Sequence, residues 1–254
     1  MGWATEVRRK RHIQFQRIRK KLSTPDGTLM TPARHRIVSL SICQLLDELQ
    51  EGKILPTEVL HAYQAKSLEC NDRLNCITEY LEEAEDAAAA LDHCPTRGPL
   101  HGLPISIKEN FQLKNHVVTL GLANRVPEPP SEETAVFPGV LVELGCIPFC
   151  RTNVPQGMFT WGCSNALFGA TKNAHNPSRT AGGSCGGECA LVGAGGSPIG
   201  LGGDLLGSAR IPAHFNGCVS LKVSPDRIST RGIFSLVTDI PGCTYNAYDE
   251  GWGR

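Results

Sequence analysis

GGSCGGECALVGAGGSPIGLGGDLLGSARIP, residues 182–212, places Ser184 and Ser208 inside a run dense in glycine. Eleven of the 26 residues from Gly182 to Gly207 are glycine, so the backbone must turn sharply here or pass very close to another part of the protein. A flexible tether can have the same glycine content. This run also carries Ala190, Leu191, Val192, Ile199 and Leu201, and apolar residues of that kind belong in a core.

Working outward, the chain changes character upstream. Leu103-Pro104-Ile105-Ser106-Ile107-Lys108 is a short apolar run between Gly102 and the polar Glu109-Asn110, and it predicts a strand that ends at Lys108. A helix around Phe137 to Leu144 and a strand around Ile147 to Arg151 continue the alternation, which predicts an α/β sandwich with a parallel or mixed sheet. Three helices are expected ahead of it. Ser41 with Gln44 three residues later forms a capping-box signature for the first, which Gly52 closes. Pro56 suits the first turn of the second, and an Ala-rich stretch from about Glu79 to Leu91 forms the third.

The first 36 residues read as a separate basic segment. Arg8, Arg9, Lys10, Arg11, Arg17, Arg19, Lys20 and Lys21 face one acid, Glu6, while Ile13, Phe15, Ile18 and Leu22 could form part of a helical stripe. Such a segment suits either an anionic membrane surface or a solvated, partly disordered terminus. Pro25-Asp26-Gly27 marks a turn after it.

Composition narrows the function classes. Over 254 residues, 25 basic and 25 acidic side chains cancel, which argues against a protein built to hold nucleic acid. No apolar run of about 18 residues marks a transmembrane helix or a secretory leader. The eleven cysteines are odd in number and lack C-x-x-C pairs, so they read as reduced, mostly buried thiols of a cytoplasm-facing protein. Cys146/Cys150 and Cys185/Cys189 have no histidine at zinc-ligand spacing, so no metal is expected, and no other cofactor.

Three readings compete for the glycine run. A phosphate loop lacks any G-K-[ST], and Pro198 occupies the third glycine slot of a G-x-G-x-x-G after Gly193 and Gly195. A hydrolase elbow matches formally at Gly182 to Gly186, but the residues ahead of it are polar and only His214 follows Asp204. The third reading joins both serines to Lys108. With Gly182-Gly183-Ser184-Cys185-Gly186-Gly187, the 24-residue step to Ser208 in Gly202-Gly203-Asp204-Leu205-Leu206-Gly207-Ser208-Ala209-Arg210-Ile211-Pro212, and Lys108 upstream, the chain resembles the amidase signature family from about Leu40 to Gly232. Thr152 to Phe159, Cys163 to Gly169 and Glu188 are similar to its vertebrate-type fatty-acid amide hydrolase branch.

That resemblance implies an amidase-signature-like three-layer sandwich with a mixed central sheet over residues 37–254. It also implies a Ser-Ser-Lys triad that cleaves fatty-acid amides to a fatty acid and an amine through an acyl-enzyme. In it Ser208 is the nucleophile, Ser184, after a cis peptide, passes the proton, and Lys108 is a base that must be neutral to act. The amides of Leu205, Leu206, Gly207 and Ser208, on a turn ahead of a short helix that Pro212 begins, would hold the oxyanion. Met158 would contribute to the substrate site. Leu206 stands where the family has a glycine, and the expectation is a strained φ or crowding of the substrate carbonyl. The implied partners are a small-molecule lipid amide, a membrane surface touched peripherally through the basic segment on the cytoplasmic side, and a second copy in a homodimer. Family members continue beyond this length, and the tail from Pro241 to Arg254 does not continue their pattern. The chain therefore reads as truncated, with exposed sheet edges, and the alternative is a weak or inactive relative that binds lipid or regulates a partner.

Overall fold

The computed structural model describes residues 2–234 and the backbone of residues 244–249. Its helices are α1 (Trp3–Leu22), α2 (Pro32–Val38), α3 (Ile42–Gln50), α4 (Pro56–Leu74), α5 (Glu83–Asp92), α6 (Val136–Glu143), α7 (Gly186–Gly193) and α8 (Arg210–Asn216). Its strands are β1 (Ile77–Tyr80), β2 (Pro104–Lys108), β3 (Ile147–Thr152), β4 (Ser164–Asn165), β5 (Gly169–Ala170), β6 (Ile199–Asp204), β7 (Val219–Ser220) and β8 (Thr244–Asp249). The main sheet has the order β1-β3-β2-β6-β8-β7, and β4 and β5 form a small antiparallel pair. Strand β2 runs parallel to both β3 and β6, while β1, β8 and β7 pair antiparallel with their neighbours, so the sheet is mixed.

Local chemistry fixes several of these elements. The Ser41 hydroxyl accepts from the Gln44 amide while the Gln44 side chain accepts from the Ser41 amide, which closes the predicted capping box at α3. Pro56 begins α4, where its missing N–H costs nothing. Helix α4 is buried over most of its length, with Val59, Leu60, Leu68 and Leu74 fully enclosed. Burial of each such side chain contributes about 1.5–3 kcal/mol.

Four sequence expectations change. The third helix begins at Glu83, because Ile77–Tyr80 forms edge strand β1 against β3. Within the glycine run, α7 and β6 are regular elements that the pattern hid. Helix α8 begins at Arg210, so Pro212 is its third residue. The basic segment is ordered as α1 and docks on the domain. Gln14 exchanges hydrogen bonds with the main chain of Tyr80, Arg11 donates to Asn71 and Asn75, and Arg8 donates to the carbonyls of Ala166 and Leu167. Phe15 packs edge-on against Tyr80.

Of the tail, residues 244–249 pair with β6 as β8, and the rest lies outside the described residues. No helix among the described residues is long and apolar enough to cross a membrane. Eight of the ten described cysteines are buried, and all ten are free thiols.

Candidate active site

Strand β2 delivers Lys108 to the end of the sheet, where it is 2% exposed. Its parallel neighbours fix its height: Lys108 pairs with Thr152 of β3, and Ser106 pairs with Gly200 of β6. Ser184 lies just ahead of α7, after a cis peptide with Gly183, and is equally buried. The Lys108 Nζ donates to the Ser184 Oγ at 2.8 Å. Helix α7 brings that serine in because it opens on two glycines, Gly186 and Gly187. A Cβ on Gly187 would overlap the backbone of Asn153, whose carbonyl accepts from the Gly187 amide at 3.0 Å.

Ser208 is half-buried on the turn between β6 and α8. It is tied to this pair through the main chain, since the Cys185 amide beside Ser184 donates to the Ser208 carbonyl at 2.9 Å. Asp204 organises the turn. Its carboxylate accepts from the Gly207 amide at 2.7 Å, from the Ala209 and Arg210 amides, and from the Arg210 guanidinium at 2.9 and 3.0 Å. Burial would raise the Asp204 carboxyl, but the guanidinium and these amides outweigh it and hold the group well below the usual carboxylate range. Lys222 adds a hydrogen bond to the Asp204 carbonyl at 2.8 Å.

Leu205, Leu206 and Gly207 lie on the same turn, and Met158 lies on a separate one. Leu205 is half-buried and Gly207 is buried at φ +108°, with its amide committed to Asp204. Leu206 is 69% exposed and is not among the residues with positive φ, so the strain expected of a leucine in a glycine position does not arise. Met158 does adopt the left-handed region, at φ 62°, in a short 3-10 turn after β3. The same segment runs on past Gly183, where a Cβ would overlap the carbonyls of Thr160 and Gly162.

Two residues of the site were not singled out for it by sequence. Asp204 was legible as an acid opening a turn and followed six residues later by an arginine, a pattern that lets one carboxylate gather several amides. Glu188, in the first turn of α7, is fully buried, with its carboxylate accepting from the hydroxyls of Ser106 and of Thr152, the latter at 2.5 Å. Burial pushes it up to about 7, against those hydroxyls and the charge of Lys108.

The family model described as Amidase matches residues 58–242. The chain is 39% identical over 238 residues to "Vitamin D3 hydroxylase-associated protein" of Gallus gallus, covering 92% of this chain and 50% of that protein. It is 44% identical over 197 residues to "Fatty-acid amide hydrolase 1" of Sus scrofa, covering 78% of this chain and 33% of that one. A solved structure titled "Fatty acid amide hydrolase" superposes with a TM-score of 0.87 at 28% identity, over 98% of this chain and 48% of that one. The chain thus spans about half the length, or less, of the curated relatives it matches.

Proposed function

The chain belongs to the amidase family, and from that premise we propose that it is a serine hydrolase cleaving the amide bond of fatty-acid amides, with Ser208, Ser184 and Lys108 as its catalytic residues. The observation that carries this reading is the 2.8 Å contact between the Lys108 Nζ and the Ser184 Oγ, buried beside the turn that bears Ser208. In neutral Lys108 the contact reverses, and Ser184 donates. The Ser208 Oγ then attacks the amide carbonyl, its proton passes to the Ser184 Oγ, and the proton of Ser184 passes to the Lys108 Nζ. Collapse of the tetrahedral species breaks the C–N bond, and the leaving amine takes the proton back along the same path. Water then attacks the acyl-Ser208 ester with the same relay as base, releasing the acid and restoring the Ser208 hydroxyl.

The turn from Leu205 to Ser208 would hold the oxyanion. Asp204 anchors it at the Gly207 amide, and the amides of Leu205, Leu206 and Ser208 would serve as the oxyanion donors. Met158 and the exposed Phe159, Trp161 and Leu206 supply apolar surface suited to an acyl chain. Peripheral membrane contact belongs to the same reading. Helix α1 offers exposed Lys10, Lys20 and Lys21 together with half-exposed Trp3 and Ile13. So does a homodimer, which sedimentation would test.

A serine-directed fluorophosphonate probe decides the central claim. Labelling that disappears in Ser208→Ala supports it, and a folded protein that takes no label, and releases no amine from a long-chain fatty amide, removes it.

A further inference from the structure

Glu188 occupies a costly position. A fully buried carboxyl needs partners for its charged form, and the two that Glu188 has are both placed relative to Lys108. Ser106 lies two residues before Lys108 on β2 and so faces the same side of the sheet. Thr152 is the residue that Lys108 pairs with on β3. The third strand leaves room for the carboxylate, because a Cβ on Gly200 of β6, opposite Ser106, would overlap the Glu188 Oε1. One carboxyl on α7 therefore clamps the C-terminal ends of β2 and β3 from the same helix that Ser184 precedes.

The other titratable groups around it are Lys108 of β2, Cys150 of β3, Cys76 just before β1, and Cys189 next along α7. Burial raises all three thiols well above their ordinary range, so they stay neutral and Lys108 is the cation that Glu188 senses.

We infer that Glu188 is a positioning residue for Lys108: it fixes the end of β2 and, by exchanging its own proton with solvent, sets the charge environment in which Lys108 takes the proton from Ser184. This rests on the catalytic reading given above for Lys108. When the relay makes Lys108 cationic, an ionised Glu188 compensates the new charge. When Glu188 is protonated, a neutral Lys108 is favoured. The coupling is reciprocal, so each group reports on the other.

The test reads Glu188 directly. Its protonated carboxyl band is followed by infrared difference spectroscopy against pH and assigned by its loss in Glu188→Gln. In the wild type the band titrates near pH 7. In Lys108→Met it moves upward by about one unit, because the nearby cation is gone. An unchanged midpoint in Lys108→Met overturns the inference. If Glu188→Gln fails to fold, Thr152→Val serves for assignment, since losing a hydrogen bond to the charged form moves the same band upward. A second readout is the pH profile of fluorophosphonate labelling. Its rising limb shifts to lower pH in Glu188→Gln, so that on the part of the limb above about pH 7, where wild-type Glu188 is ionised, labelling relative to each plateau is up to about tenfold faster than in the wild type. A superimposable profile with only a lower plateau marks a structural role and overturns the inference. If the wild type takes no label, the hydrolase reading falls, and the infrared titration decides the coupling on its own.

Discussion

Lys108 and Ser184, 76 residues apart in the chain, meet at 2.8 Å in a buried contact between the end of β2 and the entry to α7. Lys108→Ala deletes the base that the proposed relay depends on. We expect probe labelling and amide hydrolysis to fall about 10²–10⁴-fold and the dependence on pH to flatten. A variant with wild-type rate and profile would remove Lys108 from the mechanism.

Asp204 holds the turn of Ser208 through three amides and one guanidinium. Asp204→Asn keeps the shape but weakens these charge-assisted bonds, and the expected cost is about 1–3 kcal/mol in urea unfolding. Labelling of Ser208 should fall by about 10²-fold through disorder of the oxyanion turn. A stability loss without any loss of labelling would show that the turn keeps its geometry unaided.

Leu206 tests a different point. Because it is 69% exposed and lies outside the left-handed region, Leu206→Gly has no strain to relieve. The expected outcome is a loss of about 0.5–1 kcal/mol from the greater freedom of the unfolded chain. Thermal melts that show a clear gain in stability would contradict the observed backbone.

A surface cluster beside β1 gives the protein a pH dependence of its own. His116 bonds Glu79 at 3.4 Å and Glu83 at 2.9 Å, and Glu79 also pairs with buried Arg151 at 2.7 Å. Burial would lower His116, but the two carboxylates outweigh it and raise it to about 9. Burial would likewise raise Glu79, but Arg151 and His116 bring it down to about 2. The His116 contribution to stability is therefore full below its ordinary value of 6.5 and is lost as pH rises through about 9. That of Glu79 is full above 4.5 and is lost as pH falls through about 2. Urea unfolding of wild type and His116→Gln should converge on the alkaline side. Parallel curves across that window would rule the cluster out.

Gly200 is expected to resist substitution for steric reasons. In Gly200→Ala the new methyl group meets the Glu188 carboxylate, which its hydroxyl partners hold in place, so a loss of about 1–3 kcal/mol is expected. A neutral outcome in a chemical melt would mean that Glu188 swings aside freely, which would also weaken its role beside Lys108.

By itself the sequence determined what short-range chemistry can carry. The Ser41 and Gln44 cap, the proline start of α4, strand β2 ending at Lys108, and the spacing of Ser184 and Ser208 were all legible, because each depends on residues near one another in the chain. Tertiary structure decided the rest. Glycine is a poor former of helix and strand, so α7 and β6 could not be read from propensity. They exist because Gly187 fits against Asn153 and Gly200 fits against Glu188. Glu79 and Tyr80, the last two residues of β1, passed for the start of a helix until β3 supplied their pairing. Residues from β2, β3, β6 and α7 meet only when the sheet closes, and burial there turns Glu188 from one more acid in the chain into a group that titrates near neutrality beside Lys108.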